Sequence, residues 1–137
     1  MKNDAINKLS ADFTIDKTFA IGNDVVFMPN FEASFTPAFK TKVYTQAELT
    51  YCQQFSQPLL RYASTWAAKE AVYKAVKQLG AAVAGWQNIE IIRNKIAGQP
   101  NVVLHQYPNK FAISLSISHD GAYVWAVALA QLKYVKT

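Results

Sequence analysis

Two hydrophobic periods divide this 137-residue chain. From Thr18 to Val26 apolar positions follow a strand pattern (Phe19, Ile21, Val25, Val26), interrupted by Gly22, Asn23 and Asp24, where Gly22 allows a close backbone approach or a bulge. Further on, Tyr62, Trp66, Val72, Tyr73, Val76 and Leu79 fall on one stripe at ~100° per residue, which predicts a long amphipathic helix ending near Gly80. After an Ala81–Gln87 connection the strand period returns in Asn88–Arg93 and Val102–Leu104, with Gly98-Gln99-Pro100 as a turn signal between them. Ala112–His119 alternates strictly, with Ile113, Leu115 and Ile117 on one face and Ser114, Ser116 and Ser118 on the other. Asp120-Gly121 reads as a hairpin turn, and Tyr123–Ala130 is apolar on both faces, as in a central strand or one at a subunit interface.

Local signals place the remaining elements. Residues 1–17 are polar apart from Ile6, Leu9 and Phe13, which suits a short helix or an arm. The aromatic, Pro-containing stretch Pro29–Phe39 predicts a short helix plus loop. Thr45 with Glu48 three residues on is a capping-box pattern opening a helix over Gln46–Gln54. Ser56 is an expected cap for the central helix, with Pro58 in its first turn. One strand, then helices, then several strands predicts an α+β domain over 18–132. Residues 1–17 form an extension and 133–137 a tail.

The central helix also carries charge. Glu70, Lys74 and Lys77 leave it together at the flank of the apolar stripe, and Glu70 and Lys74, four apart, are placed to meet as an ordinary surface ion pair. Lys69 lies inside the stripe and reads as a snorkelling side chain.

Composition narrows the partners. The chain is 51% hydrophobic and 17% charged, as in a folded globular domain, and no apolar run reaches the ~18 residues of a membrane span. The amino-terminal residues lack an apolar core of the secretory kind, so a cytoplasmic location is expected. Cys52 is the only cysteine and reads as structural; His105 has no evident partner and reads as exposed. A net charge of +5 favours a polyanionic partner, but Lys and Arg are dispersed and no nucleic-acid motif is present, which leaves basic nucleic-acid binding as a weak alternative. Asp24 and Glu70, with no cysteine ligands, suit a hard cation such as Mg²⁺ held by oxygens, and nearby lysines suit phosphate oxygens. There is no Walker loop.

Four blocks give these residues a setting. Phe19-Ala-Ile-Gly-Asn-Asp-Val-Val26, Val43-Tyr-Thr-Gln-Ala-Glu-Leu49, Trp66-Ala-Ala-Lys-Glu-Ala-Val-Tyr-Lys74 and Ile113-Ser-Leu-Ser-Ile-Ser-His119 with Ala122–Ala130 resemble, in order, the motifs of the holo-acyl-carrier-protein synthase type of 4′-phosphopantetheinyl transferase. The resemblance implies an antiparallel sheet packed against a long central helix. It implies Mg²⁺-dependent transfer of phosphopantetheine from coenzyme A to a serine of an acidic acyl carrier protein, as in fatty acid biosynthesis, with release of adenosine 3′,5′-bisphosphate. It also implies a homotrimer with sites between protomers. On the same grounds Asp24 and Glu70 hold the metal, Lys74 joins them in catalysis and contacts phosphate, and Lys77, His119 and Arg61 contact the cofactor.

The chain departs from that pattern at identifiable positions. Asn23 replaces an apolar residue, and Phe27-Met-Pro-Asn30 replaces a stretch whose arginine docks the carrier, a role that passes to Lys40 and Lys42. The arginine before the signature aromatic is Thr65, with Arg61 one turn back as its substitute. Lys77-Gln-Leu79 stands where a Gly-rich stretch is usual. The alternative these departures leave is a catalytically weakened coenzyme A or carrier-protein binding module on the same fold.

Overall fold

A computed structural model describes residues 17–94 and 99–133. The expected amino-terminal arm, the Gly98 turn signal and the end of the tail lie outside the described residues. Strand β1 (Phe19–Phe27) runs into two seven-residue helices, α1 (Met28–Ser34) and α2 (Pro37–Val43), each with a proline in its first turn. The aromatic stretch therefore forms two helices where the sequence predicts one helix plus loop. Helix α3 (Gln46–Gln53) carries the expected capping box: Thr45 N–H donates to Glu48 Oε1 at 2.8 Å and Glu48 N–H to Thr45 Oγ1 at 3.3 Å. The long helix α4 (Pro58–Gln78) begins after Gln57 with no side-chain cap, so Ser56 does not play the capping role expected of it. A 3-10 turn (Trp86–Asn88) leads to β2 (Ile89–Arg93) and β3 (Pro100–Leu104), an antiparallel pair. The hairpin β4 (Phe111–Asp120) and β5 (Tyr123–Leu132) closes the described fold, turning at Gly121-Ala122, one residue later than predicted. Gly121 supplies the positive φ that this tight turn requires.

The α+β architecture is an antiparallel sheet in the order β1-β5-β4, with α4 packed across it. β5 is central, as its sequence implies. Its inward residues Val124, Ala126, Ala128 and Ala130 are fully buried under α4, while Tyr123, Trp125, Val127 and Leu129 are exposed on the other face. β1 continues that outer apolar surface with Phe19, Ile21, Val25 and Phe27.

β1 runs unbroken through Gly22-Asn23-Asp24, against the expected interruption. The reason is a close approach: a Cβ at Gly22 would lie 2.0 Å from the Ala71 carbonyl oxygen and 2.7 Å from the Ala75 nitrogen. Glycine on the strand and alanines on the helix let the two backbones meet.

Helix α4 is buried well beyond one stripe. Ala63, Ala67, Ala71 and Ala75 are fully buried, with Ala71 and Ala75 against β1, and Ala68, Lys69 and Val72 are also fully enclosed. Lys69 does not snorkel. Its ammonium lies 2.8 Å from Glu48 Oε1 and donates to the Trp86 and Ile89 carbonyls at 2.9 and 2.6 Å, while Glu48 Oε2 accepts Ile91 N–H at 2.8 Å. Burial pushes the Lys69 ammonium down from its ordinary value, and the Glu48 carboxylate opposes that shift. The pair pins α3, α4 and β2 together beside Glu70. His105 is exposed as expected but has a partner, Glu90 Oε1 at 3.1 Å. Cys52 is a buried free thiol against Thr65.

Candidate active site

The inner face of the sheet is split by α4. Antiparallel register sets Asp24 opposite Ala126, and Ala126 opposite Ile117; it sets Val26 opposite Val124, and Val124 opposite His119. Asp24 and His119 therefore share one sheet face but sit on its two edge strands, with the buried centre of β5 and the helix between them.

On the β1 flank, the carboxyl groups of Asp24 and Glu70 are near enough for Asp24 to act on the titration of Glu70. Glu70 is pushed up to about 7, first by burial and then by the charge and hydrogen bond of Asp24; Lys74 and a hydrogen bond from Trp66 pull the other way. Only the Trp66 indole N–H can donate there. Lys74 Nζ lies 2.9 Å from Asp24 Oδ1 and 3.1 Å from the Asn23 carbonyl oxygen. The expected Glu70–Lys74 ion pair along the helix is thus replaced by a pair across to β1. Asp24 is nearly buried and Lys74 half-exposed, so the cation stands at the rim.

Two hollows open from this point. One, about 530 Å³, is lined by Glu70, Tyr73, Lys74, Lys77, Gln78 and Trp86. The other, about 300 Å³, is lined by Asp24, Asn30, Phe39, Trp66 and Glu70 among others. Lys77 lies over the Tyr73 ring at 5.7 Å, and so belongs to the first hollow with Lys74.

The carboxyl pair fits a divalent cation. Without one, burial and the Asp24 charge favour the protonated form of Glu70 and Lys74 balances Asp24; a divalent cation would take over that neutralisation. Among the described residues no group of three or more His, Cys, Asp or Glu side chains converges. The protein side of such a site is therefore two oxygens, with the rest of the shell left to water and phosphate, as Mg²⁺ favours.

Arg61 and His119 are elsewhere. They line a cavity of about 320 Å³ on the β4 flank, with Tyr51, Ser64 and Arg93. Arg61 precedes Glu70 by nine residues, which is 2.5 helical turns, or about 14 Å and the opposite side of the helix. One protomer cannot bring all six expected site residues together: Asp24, Glu70, Lys74 and Lys77 converge, and Arg61 with His119 form a second group. Trp66 is the site residue the sequence reading missed. Its i, i+4 spacing to Glu70 was the available signal, obscured because it counted as part of the apolar stripe.

Residues 20–128, which include the Asp24 strand and the Glu70 helix, match the 4′-phosphopantetheinyl transferase superfamily. The chain belongs to it. A holo-acyl-carrier-protein synthase of Chlorobaculum parvum is 38% identical over 117 residues, covering 81% of this chain and 97% of that one. The fatty acid synthase subunit alpha of Candida albicans is 38% identical over 102 residues, 68% of this chain and 5% of its own length. Among solved structures, the Chronobacterium ammoniagenes ACPS–CoA complex superposes with a TM-score of 0.73 at 25% identity, covering 86% of this chain and all of that one. The fold expected from sequence, an antiparallel sheet against a long helix, is the fold observed.

Proposed function

We propose that this protein transfers the 4′-phosphopantetheine arm of coenzyme A to a serine of an acyl carrier protein and releases adenosine 3′,5′-bisphosphate. The observation that carries this reading is the convergence of Asp24, Glu70 and Lys74 at the mouth of the 530 Å³ hollow. Family membership, the holo-acyl-carrier-protein synthase relatives and the coenzyme A complex of a structural neighbour support it.

Asp24 and Glu70 are the residues to hold Mg²⁺, which supplies neutralisation of pyrophosphate charge. Lys74, poised between Asp24 and solvent, turns to a phosphate oxygen and stabilises charge on the leaving group, and Lys77 extends the cationic wall toward the cofactor. Partly buried Trp66 favours the charged form of the Glu70 carboxyl through its indole N–H and helps keep that ligand beside Asp24. Lys40 and Lys42 on α2 offer the acidic carrier a basic edge next to the hollow that Phe39 lines. A cytoplasmic location belongs to the same reading, since coenzyme A and unmodified carriers are intracellular reactants, and a panel of apo carriers separates a fatty-acid carrier from a polyketide or other one. No helix among the described residues is long and apolar enough to cross a membrane.

The homotrimer belongs to this reading. Phe19, Ile21, Val25, Tyr123 and Trp125 are each at least half exposed on one sheet face, an apolar surface of the kind that subunits cover. Arg61 and His119, stranded behind α4, become cofactor contacts when they serve a neighbouring protomer's Asp24–Glu70 pair.

The test is intact-mass analysis of apo carrier proteins incubated with enzyme, coenzyme A and Mg²⁺. A phosphopantetheine mass gain on the carrier is expected. Coenzyme A binding by calorimetry with no gain on any carrier would favour the weakened binding module instead.

A further inference from the structure

The cavity on the β4 flank holds a residue that no motif singled out. Arg93 ends β2 and reaches back to α4, where its Nη2 donates to Thr65 Oγ1 and, at 3.4 Å, to the Arg61 carbonyl oxygen. Its guanidinium carbon lies 4.4 Å from the centre of the Tyr51 ring, and Arg61 stacks likewise on Phe55 at 4.1 Å. Arg93 Nε is buried and has no hydrogen-bond partner among the described residues. Ser64 and His119 add to the polar lining, and among the described residues no carboxylate lines the cavity. Two guanidiniums held on aromatic rings, with no salt bridge to either among the described residues and Glu48 acting on Arg93 only from outside the cavity, suit an anion brought from outside.

Thr65 explains how Arg93 comes to be there. Its hydroxyl donates to the Arg61 carbonyl at 2.9 Å and accepts from Arg93. A short hydroxyl at this point of α4 leaves room for a guanidinium arriving from β2 and gives it an acceptor.

We propose that Arg93 is a binding and specificity residue for a phosphate monoester in this cavity, and that it makes the chain discriminate coenzyme A from its 3′-dephospho form. The inference rests on the transferase reading for the identity of the substrate. Coenzyme A carries a pyrophosphate linkage and a single phosphate monoester, at the ribose 3′ position. The pyrophosphate belongs to the Asp24–Glu70–Lys74 flank. The monoester is the dianion left for a two-guanidinium site, reached on a neighbouring protomer because α4 separates the flanks.

The experiment compares coenzyme A with dephospho-coenzyme A as donor, for the wild-type enzyme and the R93K and R93Q variants, with thermal melts to establish that each is folded. A charge-assisted bidentate contact is worth roughly 10- to 100-fold. R93Q should lower kcat/KM for coenzyme A by about that factor, mainly through KM, and leave dephospho-coenzyme A within about twofold. R93K, which keeps the charge but loses the fork, should fall between. Equal losses with both donors would mean that Arg93 only holds the fold, and an unchanged R93Q would mean that it does nothing at this site; either overturns the proposal. Calorimetry with adenosine 3′,5′-bisphosphate against adenosine 5′-monophosphate asks the same question without turnover. An Arg93-dependent preference for the bisphosphate supports the site even where transfer from both donors is absent, whereas no preference overturns it. Failure of the transferase reading is thereby distinguishable from failure of this one.

Discussion

Lys74 Nζ lies 2.9 Å from Asp24 Oδ1, fifty residues away in sequence, and this contact ties the helix to the strand at the point where their carboxyl groups meet. The cation is the counter-charge of the pair while no other cation is present. Once a divalent ion takes that role, Lys74 is free to face phosphate. D24A and E70A should each abolish phosphopantetheine transfer while leaving the thermal melt close to wild type. K74A should retain Mg²⁺ binding and lose about 100-fold in kcat. Mass-detected transfer with calorimetric Mg²⁺ titration checks all three, and full activity in both D24A and E70A would remove the metal assignment.

Glu70 gives the metal-free protein a pH signature. Its folded-state value is raised from 4.5 to about 7, so the folded form holds a proton that the unfolded chain has already lost. Stability of the metal-free protein should therefore fall as pH rises from about 4.5 to 7, and the slope should vanish in E70Q. D24N should weaken it, because charge from Asp24 is among its causes. Mg²⁺ at pH 7 should raise Tm in the wild type and not in E70Q. Melting curves across that range, with and without Mg²⁺, give the answer.

The Gly22 contact decides whether Asp24 reaches Glu70 at all. G22A places a carbon against the Ala71 carbonyl, which is backbone and cannot rotate away. We expect a loss of about 3 kcal/mol or more in chemical denaturation, with reduced Mg²⁺ affinity in whatever fraction folds. A wild-type midpoint in G22A would show that the strand and helix have room to part.

The Lys69–Glu48 pair is buried on both sides, so removing one partner strands the other's charge. K69M should cost about 3–5 kcal/mol, and the K69M/E48Q double variant less than the sum of the two single changes. A double-mutant cycle in urea measures the difference. Additive costs would mean that the two groups act independently.

Trp125 stands on the outer apolar face of the central strand, half-exposed in a single chain. W125E should shift a trimer toward monomer in sedimentation and lower transfer with it, since Arg61 and His119 then lose the neighbour they serve. A monomeric wild type would remove the trimer and with it the shared site.

Much of this was legible in the chain before any coordinates. Strict alternation in Ala112–His119, the Thr45–Glu48 box and the long apolar helix are local patterns, each set by backbone period and nearest neighbours, and the structure reproduces them. Asp24 and Glu70 stood out because carboxylates are costly where their neighbours are apolar. Three matters needed the tertiary structure. Lys74 chose Asp24 over Glu70 because the Gly22–Ala71 approach brings β1 within reach, and no helix periodicity encodes that distance. Lys69 is buried rather than snorkelling because its acceptors come from α3, the 3-10 turn and β2, which converge only on folding. Arg93 was silent because an arginine at a strand end has no distinguishing pattern until Thr65 is seen to receive it. The sequence by itself determined which residues carry charge and which elements they ride on. Only the fold decided which charges face one another, because those distances are set by backbones packing across the core rather than along the chain.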